Sequence, residues 1–268
     1  MPFEQAAAAQ SMTMGAFTCR ALRRDGGRVN RTASVRLVWY IDPMNVEAMF
    51  EQIRALSAQV RNAQLRALLF AFLDDDALVP AFLRAPAAKS IHHAYPGGLC
   101  EHTLSVMQLG WRACDHYPQL DRDLVTAGCL LHDFGKAREI SPEPGFEYTD
   151  EGRLVGHLIL TCQLLHEKAA RIAGFPRELE WRLTHLIAAH HGRHEYGSPK
   201  EPATLEAVVV HAVDELDTRM SSFAQLFAAA EGPWTDRKNL YGRQLLVPAG
   251  PAEDERRLLG AGLYREVK

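Results

Sequence analysis

An apolar run, Leu124 to Leu131, ends on two metal-competent side chains, His132-Asp133, followed by Phe134-Gly135 and Lys136. Such a run reads as a buried helix, and neighbouring residues on a helix point about 100° apart. The pair can reach one metal ion, or bridge two, only where several helices converge. The constraint on the fold is therefore that other helices must bring further ligands to the same point.

The histidines answer that requirement. Of twelve, all but His92-His93 fall between His102 and His211. Helical spacing predicts a helix over Leu99 to Tyr117, carrying His102 after Glu101, and Asp121 caps the helix that delivers His132-Asp133. A helix from Arg153 to about Ala173 is expected to carry His157 in its first turns. Another, Arg177 to His191, ends on His190-His191 with Gly192 as its stop signal. A last one, Glu206 to Ala230, carries His211, Asp214 and Asp217.

A single helical histidine is ordinarily a surface or hydrogen-bonded residue. His116, His166, His185 and His194, with no partner at ligand spacing, are read that way. The ordered set His102, His132-Asp133, His157, His190-His191 and Asp214, each on a different predicted helix, is not explained so simply. Imidazole and carboxylate without thiolate suit Mn²⁺, Fe²⁺, Co²⁺, Ni²⁺ or Zn²⁺, and disfavour a structural zinc site. Seven side chains exceed the needs of one ion and fit two that share a bridging carboxylate. His211 either faces the same site or supports it from behind.

The remaining chain divides by pattern. Residues 1–42 form an extension with a β-hairpin expected from Phe17 to Leu22 and Ala33 to Ile41 around Asp25-Gly26-Gly27. Residues 43–85 read as a helical lead-in, one helix from Asp42-Pro43 to about Leu73 and a second ending near Arg84, with no visible chemistry. Residues 86–232 hold the metal-competent side chains, and 233–268 form a tail. The fold class expected is all-α, a helical bundle with a short N-terminal β-hairpin. The 47% apolar content supports a sizeable core. A net charge of −3 excludes nucleic-acid binding through bulk electrostatics. Five cysteines without CxxC spacing point to reduced thiols in a cytoplasmic protein. Neither a signal peptide nor a membrane span is expected.

The pattern His102…His132-Asp133…Asp214 resembles the signature of the HD superfamily of metal-dependent phosphohydrolases. Longer runs are similar to the YhaM-type 3′-to-5′ exoribonucleases: Ala87 to Thr103, including His92-His93-Ala94-Tyr95-Pro96-Gly97-Gly98-Leu99-Cys100-Glu101-His102, then Tyr148 to His157, His190-His191-Gly192 and Glu195 to Pro199. The resemblance spans roughly residues 45–245. It implies an all-helical HD domain that binds divalent metal, Mn²⁺ foremost, and cleaves phosphodiesters from a 3′ end. It assigns His102, His132, Asp133 and Asp214 to one ion and His157, His190 and His191 to a second, with Asp133 bridging. Two ions ~3.5–4 Å apart would activate a water and clamp the attacking and leaving oxygens. Asp133 and Lys136 are then the catalytic candidates, Lys136 neutralising a non-bridging phosphate oxygen, although it also reads as an ordinary helix C-terminal lysine. Lys89, His93, Lys136 and Arg193 are candidates for substrate phosphate, and Glu101 for orienting a ligand.

In that family an OB-fold that grips single strands is expected ahead of the HD domain. Here about 40 residues precede the helical region, too few for a five-stranded barrel. The expected substrates therefore include short oligonucleotides and nucleotides besides single-stranded RNA or DNA. Arg20, Arg23, Arg24, Arg28, Arg31 and Arg36 either retain phosphate affinity or form a solvated face. A nucleotide phosphomonoesterase and a nucleotide-binding HD module are the alternatives. A hairpin that is marginal alone leaves room for a homo-oligomer.

Overall fold

The computed structural model describes residues 46–89, 92–141 and 145–248. The expected N-terminal hairpin, its arginines and residues 249–268 lie outside the described residues. Within them the protein is all-α: α1 (Val46–Ala58), α2 (Ala63–Leu73), α3 (Val79–Arg84), α4 (Gly98–His116), α5 (Arg122–Leu131), α6 (Lys136–Glu139), α7 (Asp150–Leu154), α8 (His157–Ala169), α9 (Arg177–Ala189) and α10 (Leu205–Ala229). A 3₁₀ turn, His194–Tyr196, follows α9. Pairing of extended backbone among the described residues is limited to two isolated antiparallel bridges, Ile140 with Tyr148 and Trp234 with Leu246. No described helix is long and apolar enough to cross a membrane.

Two of the expected helices are broken. The single helix expected to run to Leu73 is α1 plus α2, because Asn62 caps α2 by accepting from the N–H groups of Gln64 and Leu65 at 3.1 and 3.0 Å. The turn is also held from outside: Asp123 Oδ2, in the first turn of α5, accepts from the N–H groups of Arg61 and Asn62 at 3.0 and 2.8 Å. The helix expected from Arg153 is α7 plus α8, and the chain turns between them so that His157 opens α8. His190-His191, expected as the last helical residues of their segment, instead follow α9.

One core runs through the lead-in and the histidine-bearing helices alike, from Met49 in α1 to Val213 in α10. α4 packs against α1, α3, α5 and α10, while α9 packs against α5, α8 and α10. Gly128 marks a close approach of α5 to both α9 and α10: a Cβ there would lie 2.8 Å from a Val210 methyl and 2.9 Å from a Leu186 methyl. A larger residue at 128 would have to displace those two methyls, so the glycine keeps α5 close to α10, which carries Asp214, and to α9, which leads to His190-His191. The lead-in has a further task. Phe134, immediately after Asp133, stacks on Phe82 of α3 at 4.7 Å and meets Phe72 of α2 edge-on at 5.0 Å. All three rings are fully buried, each worth about 1.5–3 kcal/mol of transfer free energy. They fix the turn from which Asp133 projects.

The lead-in is itself tied to α8. The buried Lys168 of α8 donates to Asp75 Oδ2 at 2.6 Å and to the Ala71 carbonyl at 2.7 Å. Asp75 Oδ1 accepts from the N–H groups of Ala77 and Leu78, each at 3.0 Å, ahead of α3. Burial acts to raise the Asp75 carboxyl, but the Lys168 ammonium and these N–H groups outweigh it and hold the pKa below the ordinary 3.8. A folded-state pKa below the unfolded one means stability that is complete above pH 3.8 and lost as pH falls through the folded value. Asp75→Ala is expected to cost about 1–2 kcal/mol at neutral pH by chemical denaturation, with the gap to wild type closing in strong acid.

Candidate metal centre

The seven side chains singled out as ligands converge on one point. His102 projects from α4, His132-Asp133 from the end of α5, His157 from the start of α8, His190-His191 from just past α9, and Asp214 from the middle of α10. Asp133 lies between two groups. Its Oδ2 is 3.5 Å from His102 Nε2 and 3.4 Å from His132 Nε2. Its Oδ1 is 3.4 Å from both His157 Nε2 and His190 Nε2. Asp214 Oδ1 completes the first group, 3.2 Å from His102 Nε2 and 3.9 Å from His132 Nε2. His191 completes the second: ligand atoms of His157, His190 and His191 lie within 4.8 Å of one another, as do those of His102, His132 and Asp214.

The imidazoles are held from behind. His102 Nδ1 is 2.7 Å from Asp217 Oδ2, and His157 Nδ1 is 3.1 Å from Glu139 Oε1. His132, His190 and His191 place Nδ1 at 2.9, 2.8 and 3.0 Å from the carbonyls of Cys129, Ile187 and Tyr196. Carbonyls and carboxylates only accept, so Nδ1 is the donor in each ring and the Nε2 lone pair faces inward when the ring is neutral. Holding a histidine in this way is what raises its value as a metal ligand.

The interior of the cluster is consequently rich in acceptors. His102 Nε2 and His132 Nε2 are only 3.2 Å apart. Such a set requires positive charge among its members, from protons or from metal ions. Burial disfavours the charged form of His102, yet Asp133, Asp214 and Asp217 carry its pKa well above the ordinary value. Burial would likewise neutralise Asp133, but Lys136, His132 and His102 hold its carboxyl well below the usual range. Burial and the neighbouring His190 push His191 down to about 4. Among the described residues, Asp133 Oδ1 and His157 Nε2 are buried side-chain atoms without a hydrogen-bond partner. Unpaired groups of this kind are rare in folded proteins, and a divalent cation between the two atoms suits both. The donor set fits a metal.

The other candidates fall in different places. Lys136 opens α6 rather than closing a helix, and its Nζ lies 2.6 Å from Asp133 Oδ2. Burial works against its charge, but the Asp133 carboxylate holds the ammonium above its ordinary range. His93, expected to contact substrate phosphate, is buried with both ring nitrogens engaged: Nδ1 with the Tyr95 hydroxyl at 2.9 Å and Nε2 with Asp217 Oδ2 at 3.0 Å. It braces Asp217 instead. Lys89 and Arg193 are on the surface, bonded to Glu147 at 2.7 Å and Glu195 at 3.2 Å. Glu101 accepts from the Tyr95 hydroxyl at 2.5 Å, so it reaches His102 only through the series Tyr95, His93 and Asp217.

His211 joins neither group of candidate ligand atoms around Asp133. Its Nδ1 donates to the His190 carbonyl at 2.7 Å, and its ring lies where a Gly192 Cβ would be, 2.2 Å away. Gly192 also adopts φ +81°, a left-handed conformation that other residues rarely take. The turn bearing His190-His191 thus depends on both residues. His166, His185 and His194, set aside in the sequence, bond to Glu180, to the Ala203 N–H and to the Ser198 carbonyl.

Sequence reasoning missed the roles of Glu139 and Asp217. Asp217 follows Asp214 by three residues on one helix face, a spacing that could have flagged it; Glu139 sits in a segment with no such signal. Asp217 receives His102, His93 and the Ser105 hydroxyl. Asp217→Ala is expected to weaken Mn²⁺ affinity about 10–100-fold in equilibrium dialysis. Unaltered affinity would show that His102 needs no such brace.

Residues 99–219 match the family model described as HD domain. Among curated proteins, the chain is 40% identical over 157 residues to the 3′-5′ exoribonuclease YhaM of Bacillus subtilis, covering 58% of this chain and 50% of that protein. It is 41% identical over 141 residues to the protein of the same name from Shouchella clausii, covering 53% and 44%. For Listeria monocytogenes the identity is 36% over 183 residues, covering 67% and 56%. The chain thus spans about half the length of the curated relatives it matches. A comparison with solved structures returned no significant match.

Proposed function

We propose that this chain, whose residues 99–219 form an HD domain and which is YhaM-like over its matched region, is a metal-dependent phosphodiesterase that shortens single-stranded RNA, DNA or short oligonucleotides from the 3′ end. The observation that carries the reading is the Asp133 carboxylate, one oxygen facing His102 and His132 and the other facing His157 and His190. His102, His132, Asp133 and Asp214 would hold one divalent ion, and His157, His190 and His191 a second, with Asp133 shared. Mn²⁺ is the ion proposed because the family resemblance implies it; the donor set of imidazoles and carboxylates without thiolate accepts it alongside Fe²⁺, Co²⁺, Ni²⁺ and Zn²⁺. Bound divalent ions supply Lewis acidity toward phosphoryl oxygens and make water a stronger nucleophile near neutral pH.

The protein's own groups do the remaining work. Asp217, Glu139 and the three backbone carbonyls keep each Nδ1 protonated and each Nε2 directed inward. Lys136 keeps Asp133 ionised and puts a fixed positive charge beside the centre, where it serves a non-bridging phosphate oxygen as charge develops. A cavity of about 300 Å³ lined by Glu139, Val155, Gly156, His157, Leu158, Ile159, Gly197 and Pro199 opens beside His157 and gives an approach for substrate.

The test is cleavage of a 5′-labelled single-stranded RNA and its DNA counterpart with Mn²⁺. The wild type is expected to give a ladder shortening from the 3′ end. Asp133→Ala is expected to lose more than the about 100-fold that removing an outer partner costs. No cleavage of either strand, with p-nitrophenyl phosphate turned over in preference to its bis-ester, would replace the diesterase by a phosphomonoesterase.

A further inference from the structure

His92 is the one histidine at the centre for which neither the ligand set nor its bracing has a use. Its ring lies 5.4 Å from that of His102, inclined at 60°. Both of its nitrogens are buried without a hydrogen-bond partner among the described residues. The other buried side-chain atoms in that condition are Asp133 Oδ1 and His157 Nε2, which a cation held by the ligand set would satisfy. His92 is left over.

The backbone that presents it is held in a conformation a non-glycine residue seldom adopts. His93 has φ +43°, a left-handed geometry that persists only where the surroundings over-determine it. Here they do. The His93 carbonyl accepts from the N–H groups of Ala87 at 3.1 Å and Tyr95 at 2.9 Å. Its own N–H reaches the Ser221 hydroxyl at 3.3 Å, and its side chain is fixed by Tyr95 and Asp217. Residue 92 is directed toward the centre by these contacts.

A ligand role does not suit it. Each of the five candidate ligand imidazoles has Nδ1 tied to an acceptor behind it, and His92 has no such tie. It also joins none of the clusters whose ligand atoms lie within 4.8 Å of one another. A neutral imidazole offers one N–H donor and one lone pair, and the substrate of a phosphohydrolase brings acceptors. We propose that His92 is a phosphate-contacting residue, its ring N–H donating to a non-bridging oxygen of the phosphoryl group bound beside His102. The inference rests on the phosphodiesterase reading for the nature of that group, and the contact involves no proton transfer.

The experiment is calorimetric titration of inorganic phosphate into the Mn²⁺-loaded full chain, with Mn²⁺ content and melting temperature measured alongside, for wild type, His92→Ala and His92→Asn. Expected are unchanged Mn²⁺ content and phosphate affinity about 10–100-fold weaker in His92→Ala. His92→Asn, which keeps an N–H donor, should recover part of it. Among the described residues the His92 ring makes no hydrogen bond whose loss would unfold the protein, and should the alanine variant melt early, the asparagine variant against wild type carries the comparison. Phosphate binding unaffected by either substitution, or absent from wild type, overturns the proposal. Loss of Mn²⁺ from His92→Ala overturns it in favour of a ligand. Phosphate affinity that depends on His92 in a protein without diesterase activity would sink the nuclease reading and leave this one standing. Normal diesterase activity with binding indifferent to His92 does the reverse.

Discussion

An ionised carboxylate with almost no solvent exposure is expensive to bury, several kcal/mol even after relaxation, and Asp133 is such a group. The surrounding structure offsets that cost from both sides. On Oδ2 it places the Lys136 ammonium and the His102 and His132 rings; on Oδ1 it places His157 and His190. The arrangement demands that five helical segments end or pass at one point. Close helix packing at Gly128 and the aromatic stack of Phe134 on Phe82 and Phe72 are how the core meets that demand.

Around this carboxylate the polar groups form layers. The inner layer consists of acceptors facing one another; the outer layer consists of Asp217, Glu139 and the carbonyls of Cys129, Ile187 and Tyr196, which fix how the inner rings stand. Beyond those, His93, Ser105, Tyr95 and Glu101 brace Asp217. Each layer orients the one inside it, so the central rings are set before any ion or substrate arrives. Such preorganisation is what electrostatic catalysis of phosphoryl chemistry requires.

Much of this was legible in the amino-acid order. One metal-competent group per predicted helix is a pattern that chance surface histidines do not make, and the apolar spacing of α4, α5, α9 and α10 was strong enough to place those helices to within a few residues. The breaks were not legible, because they rest on distant partners: Asp123 holds the Arg61-Asn62 turn across the fold. The task of the lead-in helices was hidden for the same reason, since nothing in Phe72 or Phe82 announces that they seat Phe134. His93 reads as a candidate for contacting substrate phosphate until Tyr95 and Asp217 are seen on its two nitrogens. Glu139 belongs to a short helix with no periodicity to report its direction. Side-chain direction beyond the regular helices is tertiary information.

The proposed function turns on Asp133 being shared between two cation sites. Anomalous diffraction at the manganese edge, from crystals of the full chain equilibrated with Mn²⁺, tests it most directly. Two peaks are expected, one on each side of the carboxylate, among His102, His132 and Asp214 and among His157, His190 and His191. A single peak with Asp133 bonded on one side only, or no peak within reach of either oxygen, would contradict it.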